Sequence, residues 1–187
     1  MRLGLFGGSF DPFHLGHFLV ARTAQELFGL TRVVFLPCAH SPLKKARPVA
    51  DERARMTMLR KGLAGHSWAE VSDEEIRRGG ISYTVDTARA WRKKHPHASL
   101  HWIMGSDQWN LLPSWREPQE LRTKLRFLVF PRPDSPRPRQ GFRMQEIPLR
   151  LDISATDIRQ RAGKKLPLTG LVLPSVERLI QKNRWYR

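Results

Sequence analysis

Apolar residues fall along this chain in two alternating patterns. Short, nearly continuous apolar runs occur at "LGLF" (residues 3–6), "RVVFLP" (32–37), "SLHWIM" (99–104) and "RFLVF" (126–130). They are rich in Leu, β-branched and aromatic residues and sit between Gly, Pro and polar positions, so each predicts a short buried β-strand. Weaker runs at 68–71 and 146–151 predict two more. Between them, 15–28, 51–63 and 84–94 predict helices, with Asp51 as an N-cap and Gly29, Gly65 and Pro96 marking their ends. The tail 175–183 places Val176, Leu179 and Ile180 on one stripe and predicts another helix.

Strands alternating with helices predict an α/β fold, a parallel sheet covered by helices on both faces. In such sheets ligands bind at the carboxyl ends of the strands, near the point where strand order reverses. "PRPDSPRPRQGFR" (131–143) is too rich in Pro and Arg for either regular element and predicts an exposed loop, not a domain boundary. With 187 residues and no internal repeat, the chain reads as one domain, 1–187, with a C-terminal helical part from about 154 packed on it.

Composition narrows the setting. No apolar run is long enough to cross a bilayer and none resembles a signal peptide, so a membrane is not expected as a partner. Cys38 is the single cysteine, which excludes a disulfide framework and a cysteine metal cluster and suits a reduced cytoplasm. Lys and Arg number 33 against 17 Asp and Glu, a net charge of +16. That balance favours anionic partners such as nucleotides, nucleic acid or phosphorylated metabolites, or else is a solvated basic surface.

The chemistry concentrates in "GGSFDPFHLGH" (7–17), between the first predicted strand and the first helix. Gly7 and Gly8 permit a sharp bend and a close ligand approach. Pro12 disfavours helix at Asp11, so the helix starts later. His14 and His17 then share one face of its first turn, where free amides and the positive dipole end suit a phosphate. The other reading is a plain turn with surface or metal-ligating histidines, although no third ligand is evident. A second segment, "ISATDIR" (153–159), opens another helix: Ser154 is a natural N-cap, with Asp157 three residues on. Arg159 lies close to that helix N-terminus, where a cation is disfavoured unless an anion binds there or the side chain reaches solvent.

Together, "GGSFDPFHLGH" and "ISATDIR" resemble the H-x-G-H and I-S-x-T-x-I-R signatures of the nucleotidyltransferase superfamily. "SYTVDT" (82–87), "GSDQW" (105–109), "LPSW" (112–115), "LVFPRP" (128–133) and the closing "WYR" make the chain similar to bacterial nicotinate-nucleotide adenylyltransferases over nearly its full length. The resemblance implies a Rossmann-like fold. It also implies transfer of adenylate from ATP to nicotinate mononucleotide, giving deamido-NAD and pyrophosphate, with a magnesium ion held mainly by phosphates and water.

For individual residues, the resemblance implies that the backbone at Gly8, Ser9 and Phe10 lines the phosphates. His14 and His17 would bind the ATP phosphates, with His17 stabilising the transition state. Ser154, Thr156 and Arg159 would hold the β- and γ-phosphates, and Gly105 and Asp107 would face the adenosine. Lys44, Tyr83, Thr84 and Trp115 would build the mononucleotide side, Lys44 also steadying charge in the transfer. From the residues alone, Asp107 is equally a helix cap and Trp115 a packing residue. The chain departs from the common pattern at Ser9 (often Thr), Leu43 (often His) and Arg116 (often Tyr). Two alternatives remain: another small-phosphate adenylyltransferase, such as that for pantetheine phosphate, and a basic nucleic-acid-binding protein. "SYTVDT" and "LPSW" oppose the first, and the second leaves both signatures unexplained. Self-association is left open.

Overall fold

The computed structural model describes residues 1–43 and 46–187. The strands are β1 (Arg2–Gly8), β2 (Arg32–Pro37), β3 (Ala69–Val71), β4 (Ser99–Gly105), β5 (Arg126–Phe130) and β6 (Met144–Glu146). They form one parallel sheet in the order β3-β2-β1-β4-β5-β6. Helices are α1 (Leu15–Phe28), α2 (Glu52–Gly62), α3 (Glu74–Arg78), α4 (Thr84–Lys94), α5 (Ser106–Leu111), α6 (Pro118–Lys124), α7 (Ala155–Gly163) and α8 (Pro174–Asn183). Among the described residues no helix is long and apolar enough to cross a membrane.

Alternation along the strands divides the core between the two faces. Val33, Phe35, Ile103 and Leu128 face α1, α2, α7 and α8, meeting Ala21, Leu59, Ile158 and Ile180. Val34, Leu36, Trp102 and Phe127 face the other way, against Val85 and Trp91 of α4, Trp109 of α5 and Leu121 of α6. The expected architecture of helices on both faces is therefore present.

Two expectations needed correction. The strand expected at 146–151 is Met144–Glu146 instead. Ile147 makes the last bond to the sheet, its amide to the Val129 carbonyl at 2.9 Å, and Pro148 has no N–H to continue it. The 131–143 loop is not wholly exposed: Pro131 and Pro136 are buried, and the Trp109 indole N–H donates to the Arg137 carbonyl at 2.8 Å.

Candidate active site

Strand order reverses between β1 and β4, so a crevice is expected beyond Gly8 and Gly105, where these strands end. β1 stays extended through both glycines, Gly8 lying in register with Pro37. The bend expected at Gly7 and Gly8 is made instead at Ser9–Pro12, where Phe10 has φ +48° and the Asp11–Pro12 peptide is cis. The glycines serve a close approach of another kind. A Cβ at Gly7 would lie 2.7 Å from the Trp102 ring, and one at Gly8 3.1 Å from the Phe10 ring.

His14 is the N-cap of α1 and not part of its first turn: its backbone is extended, with φ −136° and ψ 170°. Its Nδ1 accepts the His17 amide at 3.4 Å, and the His17 Nδ1 accepts the His14 amide at 3.3 Å. Two histidines thus form a reciprocal capping box. Leu15 donates its amide to the Leu171 carbonyl at 2.9 Å, so the free amides expected at this helix end are mostly paired. What the helix end offers instead is imidazole. With each Nδ1 accepting, the neutral rings carry their protons on Nε2.

The two rings stack with centroids 3.6 Å apart, and Phe13 stacks on His17 at 6.0 Å with Phe10 edge-on at 4.9 Å. Gly16 gives this packing room, since a Cβ there would lie 3.1 Å from the His14 ring.

Burial, helped by the charge of Arg132, holds the His14 imidazole down to about 3 from its ordinary 6.5. The unfolded chain therefore takes up a proton below pH 6.5 that the folded chain refuses until about pH 3. This group's contribution to stability is complete above its unfolded value and is lost as pH falls, by about 1.4 kcal/mol per unit. Denaturant midpoints are expected to drop between pH 6.5 and 5, and His14→Asn, which keeps a capping acceptor, to flatten that slope. A slope unchanged by the substitution counts against a buried neutral imidazole.

The second signature reaches the first. Ser154 caps α7, its hydroxyl accepting the Asp157 amide at 3.1 Å and donating to the Asp157 carboxylate at 2.7 Å. A Cβ on Gly16 would stand 3.6 Å from Ile153, which sets the two helix starts side by side. Arg159 does not run out to solvent. Its guanidinium donates to the Asp11 carbonyl at 2.7 Å and to the Thr156 hydroxyl at 3.2 Å.

Two buried charged residues, overlooked in the sequence, hold this arrangement. Asp11, 5% exposed, accepts the Val49 and Ala50 amides at 2.7 and 3.1 Å. Arg55, 1% exposed, donates to the carbonyls of Ser9 and Cys38 at 2.9 and 2.8 Å. Because carbonyl and amide of one trans peptide point opposite ways, fixing the Ser9 carbonyl turns the Phe10 N–H away from Arg55. The available signal was a charge on an apolar stripe: Arg55 precedes Met58 and Leu59 by three and four positions.

On the β4 side, Gly105 is the N-cap of α5 and half-buried Asp107 lies in its first turn, accepting the Gln108 amide at 2.9 Å; no side chain caps this helix, so Asp107 is not its cap. The Ser106 hydroxyl clamps Arg132, accepting its amide at 2.7 Å and donating to its carbonyl at 2.9 Å. On the expected mononucleotide side, Tyr83 and Thr84 begin α4. The Arg116 guanidinium lies 4.8 Å over the Tyr83 ring, which brings the "LPSW" segment to the start of α4. The buried Trp115 indole N–H has no acceptor among the described residues. Lys44 lies outside the described residues. The two sides join through Arg55: next to the Cys38 carbonyl it holds, the Ala39 amide donates to the Ser82 hydroxyl at 3.0 Å.

Comparison with known proteins shows the family and the fold. Residues 5–161 match the cytidylyltransferase-like family. A protein of Methylacidiphilum infernorum named "Probable nicotinate-nucleotide adenylyltransferase" is 37% identical over 187 residues, 99% of this chain and 92% of that protein. One of the same name from Opitutus terrae is 38% identical over 192 residues, 100% of this chain and 98% of that protein. The solved nicotinic acid mononucleotide adenylyltransferase of Plasmodium falciparum, complexed with NaAD, shares the fold. Its TM-score is 0.83 at 20% identity, covering 99% of this chain and 97% of that one.

Proposed function

The chain belongs to the cytidylyltransferase-like family, among its nicotinate-nucleotide adenylyltransferases, and on that premise we propose its reaction and the residues that carry it. It joins nicotinate mononucleotide and ATP into deamido-NAD and pyrophosphate, a step of NAD biosynthesis. The observation carrying the site assignment is the histidine capping box, which ties each Nδ1 to a backbone amide and so fixes the orientation of both rings, with the proton on Nε2.

A phosphate oxygen of the mononucleotide attacks the α-phosphorus of ATP in line, a P–O bond forms, and pyrophosphate leaves with its bonding electrons. That nucleophile is already anionic at neutral pH, so a general base has little to do. Catalysis is positioning plus stabilisation of charge developing on the phosphoryl oxygens. His14, held neutral, acts as an N–H donor and not as an acid. His17 donates beside it to the transferring phosphoryl group. Ser154, Thr156 and Arg159 take the β- and γ-phosphates, and the loop of Gly8, Ser9 and Phe10 follows the triphosphate. Gly105 and Asp107 receive the adenosine. Tyr83, Thr84, Trp115 and Lys44 receive the mononucleotide.

Among the described residues no three His, Cys, Asp or Glu side chains come together to hold a metal. A magnesium ion carried by substrate phosphates and water would supply charge neutralisation when bound. A cytoplasmic setting suits a sequence whose single cysteine, Cys38, is buried.

The decisive measurement is pyrophosphate release from purified protein, ATP and magnesium with each candidate acceptor. Nicotinate mononucleotide is expected to be turned over. Turnover of pantetheine phosphate alone, or only salt-sensitive nucleic-acid binding, would reject the assignment. Within it, Arg159→Ala is expected to raise KM for ATP about ten-fold, as loss of a charge-assisted bond does, with less effect on the mononucleotide. Equal weakening of both substrates would place Arg159 away from the triphosphate.

A further inference from the structure

The end of the chain is folded onto the site. Beyond α8, Arg184 and Tyr186 take left-handed backbone, φ +54° and +69°, that turns the chain back. The Trp185 amide donates to the Ile180 carbonyl at 3.2 Å, and both aromatic rings pack against the core. The path crosses the end of α7 where Gly163 leaves room, a Cβ there lying 3.1 Å from the Tyr186 carbonyl. It delivers the Tyr186 hydroxyl to Asp11, where it donates to Oδ1 at 2.8 Å.

Asp11 is where the separate parts of the site meet. Its carboxylate accepts the Val49 and Ala50 amides just before α2, the helix that carries Arg55. Its own carbonyl accepts Arg159 from α7. A buried carboxylate needs its donors, because water is not there to replace one that is lost. Removing one therefore releases the groups the others hold. Burial and the adjacent carboxylate push the phenol's ionisation far above its usual range, with Arg159 and Arg55 pulling weakly the other way, so the hydroxyl stays a donor.

Resting on the adenylyltransferase reading, we propose that Tyr186 is a positioning residue for the transfer. Its hydroxyl fixes Asp11, and Asp11 holds the 9–14 loop, the approach to α2 and Arg159 as one unit. Tyr186 touches no reacting atom in this scheme.

Tyr186→Phe tests it, since the ring and its packing stay. We expect kcat to fall about ten-fold, the scale of one lost bond to a buried charge, and the Val49 and Ala50 amides to exchange hydrogen about ten-fold faster. In an Asp11→Asn background, adding Tyr186→Phe should change kcat no further, because the effect runs through Asp11. Ser175→Ala is the stability control. It removes a hydroxyl bond from α8 to the Lys61 carbonyl, 3.1 Å long, and should lower Tm without lowering kcat.

Wild-type kcat in Tyr186→Phe, unchanged exchange at Val49 and Ala50, additive effects with Asp11→Asn, or an equal kcat loss in Ser175→Ala each overturn the proposal. If Asp11→Asn does not fold, the single variant's kinetics and exchange decide. Absence of turnover by the wild-type protein would instead reject the adenylyltransferase reading. The exchange measurement would still decide whether Tyr186 holds Asp11.

Discussion

His17→Ala leaves the protein folded and lowers kcat by about 10²–10³, the scale of losing one preorganised donor to developing charge. The size of the effect follows from how firmly the ring is held. Its Nδ1 accepts the His14 amide, and His14 and Phe13 stack against it. Little reorganisation is then needed when charge builds on the phosphoryl group, so the full strength of the donor is used in the transition state. The same substitution removes half of the capping box, at a cost of about 0.5–2 kcal/mol in stability. His17→Asn separates the two effects. Its short side chain can still accept the His14 amide but stops short of where the Nε2–H stands. Tm should recover toward wild type in the asparagine variant while kcat stays low. Turnover close to wild type in folded His17→Ala would remove His17 from the catalytic scheme.

The second expected result is a clear preference in kcat/KM for nicotinate over nicotinamide mononucleotide. A carboxylate accepts from every donor around it, whereas an amide's NH₂ group meets donors with a donor. The groups proposed to receive the mononucleotide are donors. α4 begins at Thr84, offering its first amides and the Thr84 hydroxyl, and the Trp115 indole N–H is buried without an acceptor among the described residues. The nearby carboxylates are already engaged. Asp86 pairs with Arg89 at 3.4 Å. Glu75 accepts the Thr87 hydroxyl at 2.6 Å, and burial pushes its pKa up, disfavouring the charged form. Each donor left unpaired by the amide costs about 1–3 kcal/mol, or roughly ten- to hundred-fold. Steady-state kinetics with both mononucleotides decide the matter, and equal or reversed efficiency rejects this pocket.

What was legible in the sequence is what neighbours in the chain determine. The Arg32–Pro37 and Arg126–Phe130 strands and the Leu15–Phe28 and Thr84–Lys94 helices stand where the apolar spacing put them. Asp51 and Ser154 cap as expected, because a cap's partner lies three residues away. α3, α5 and α6 were missed: at 5, 6 and 7 residues they are too short to be stable alone and exist through packing.

Tertiary structure alone decided how the site is held together. The two signatures named the parts, but nothing within a few residues of Arg159 announces that it reaches the Asp11 carbonyl, 148 positions away, or that Tyr186 reaches the Asp11 carboxylate, 175 positions away. The depressed basicity of His14 likewise comes from burial and from Arg132, a residue on a different loop. Periodicity and capping act over one helical turn or one pleat, so they can be read along the chain. Desolvation of a charge, and the donors it then requires, depend on which distant segments the sheet order brings to the same end of the fold.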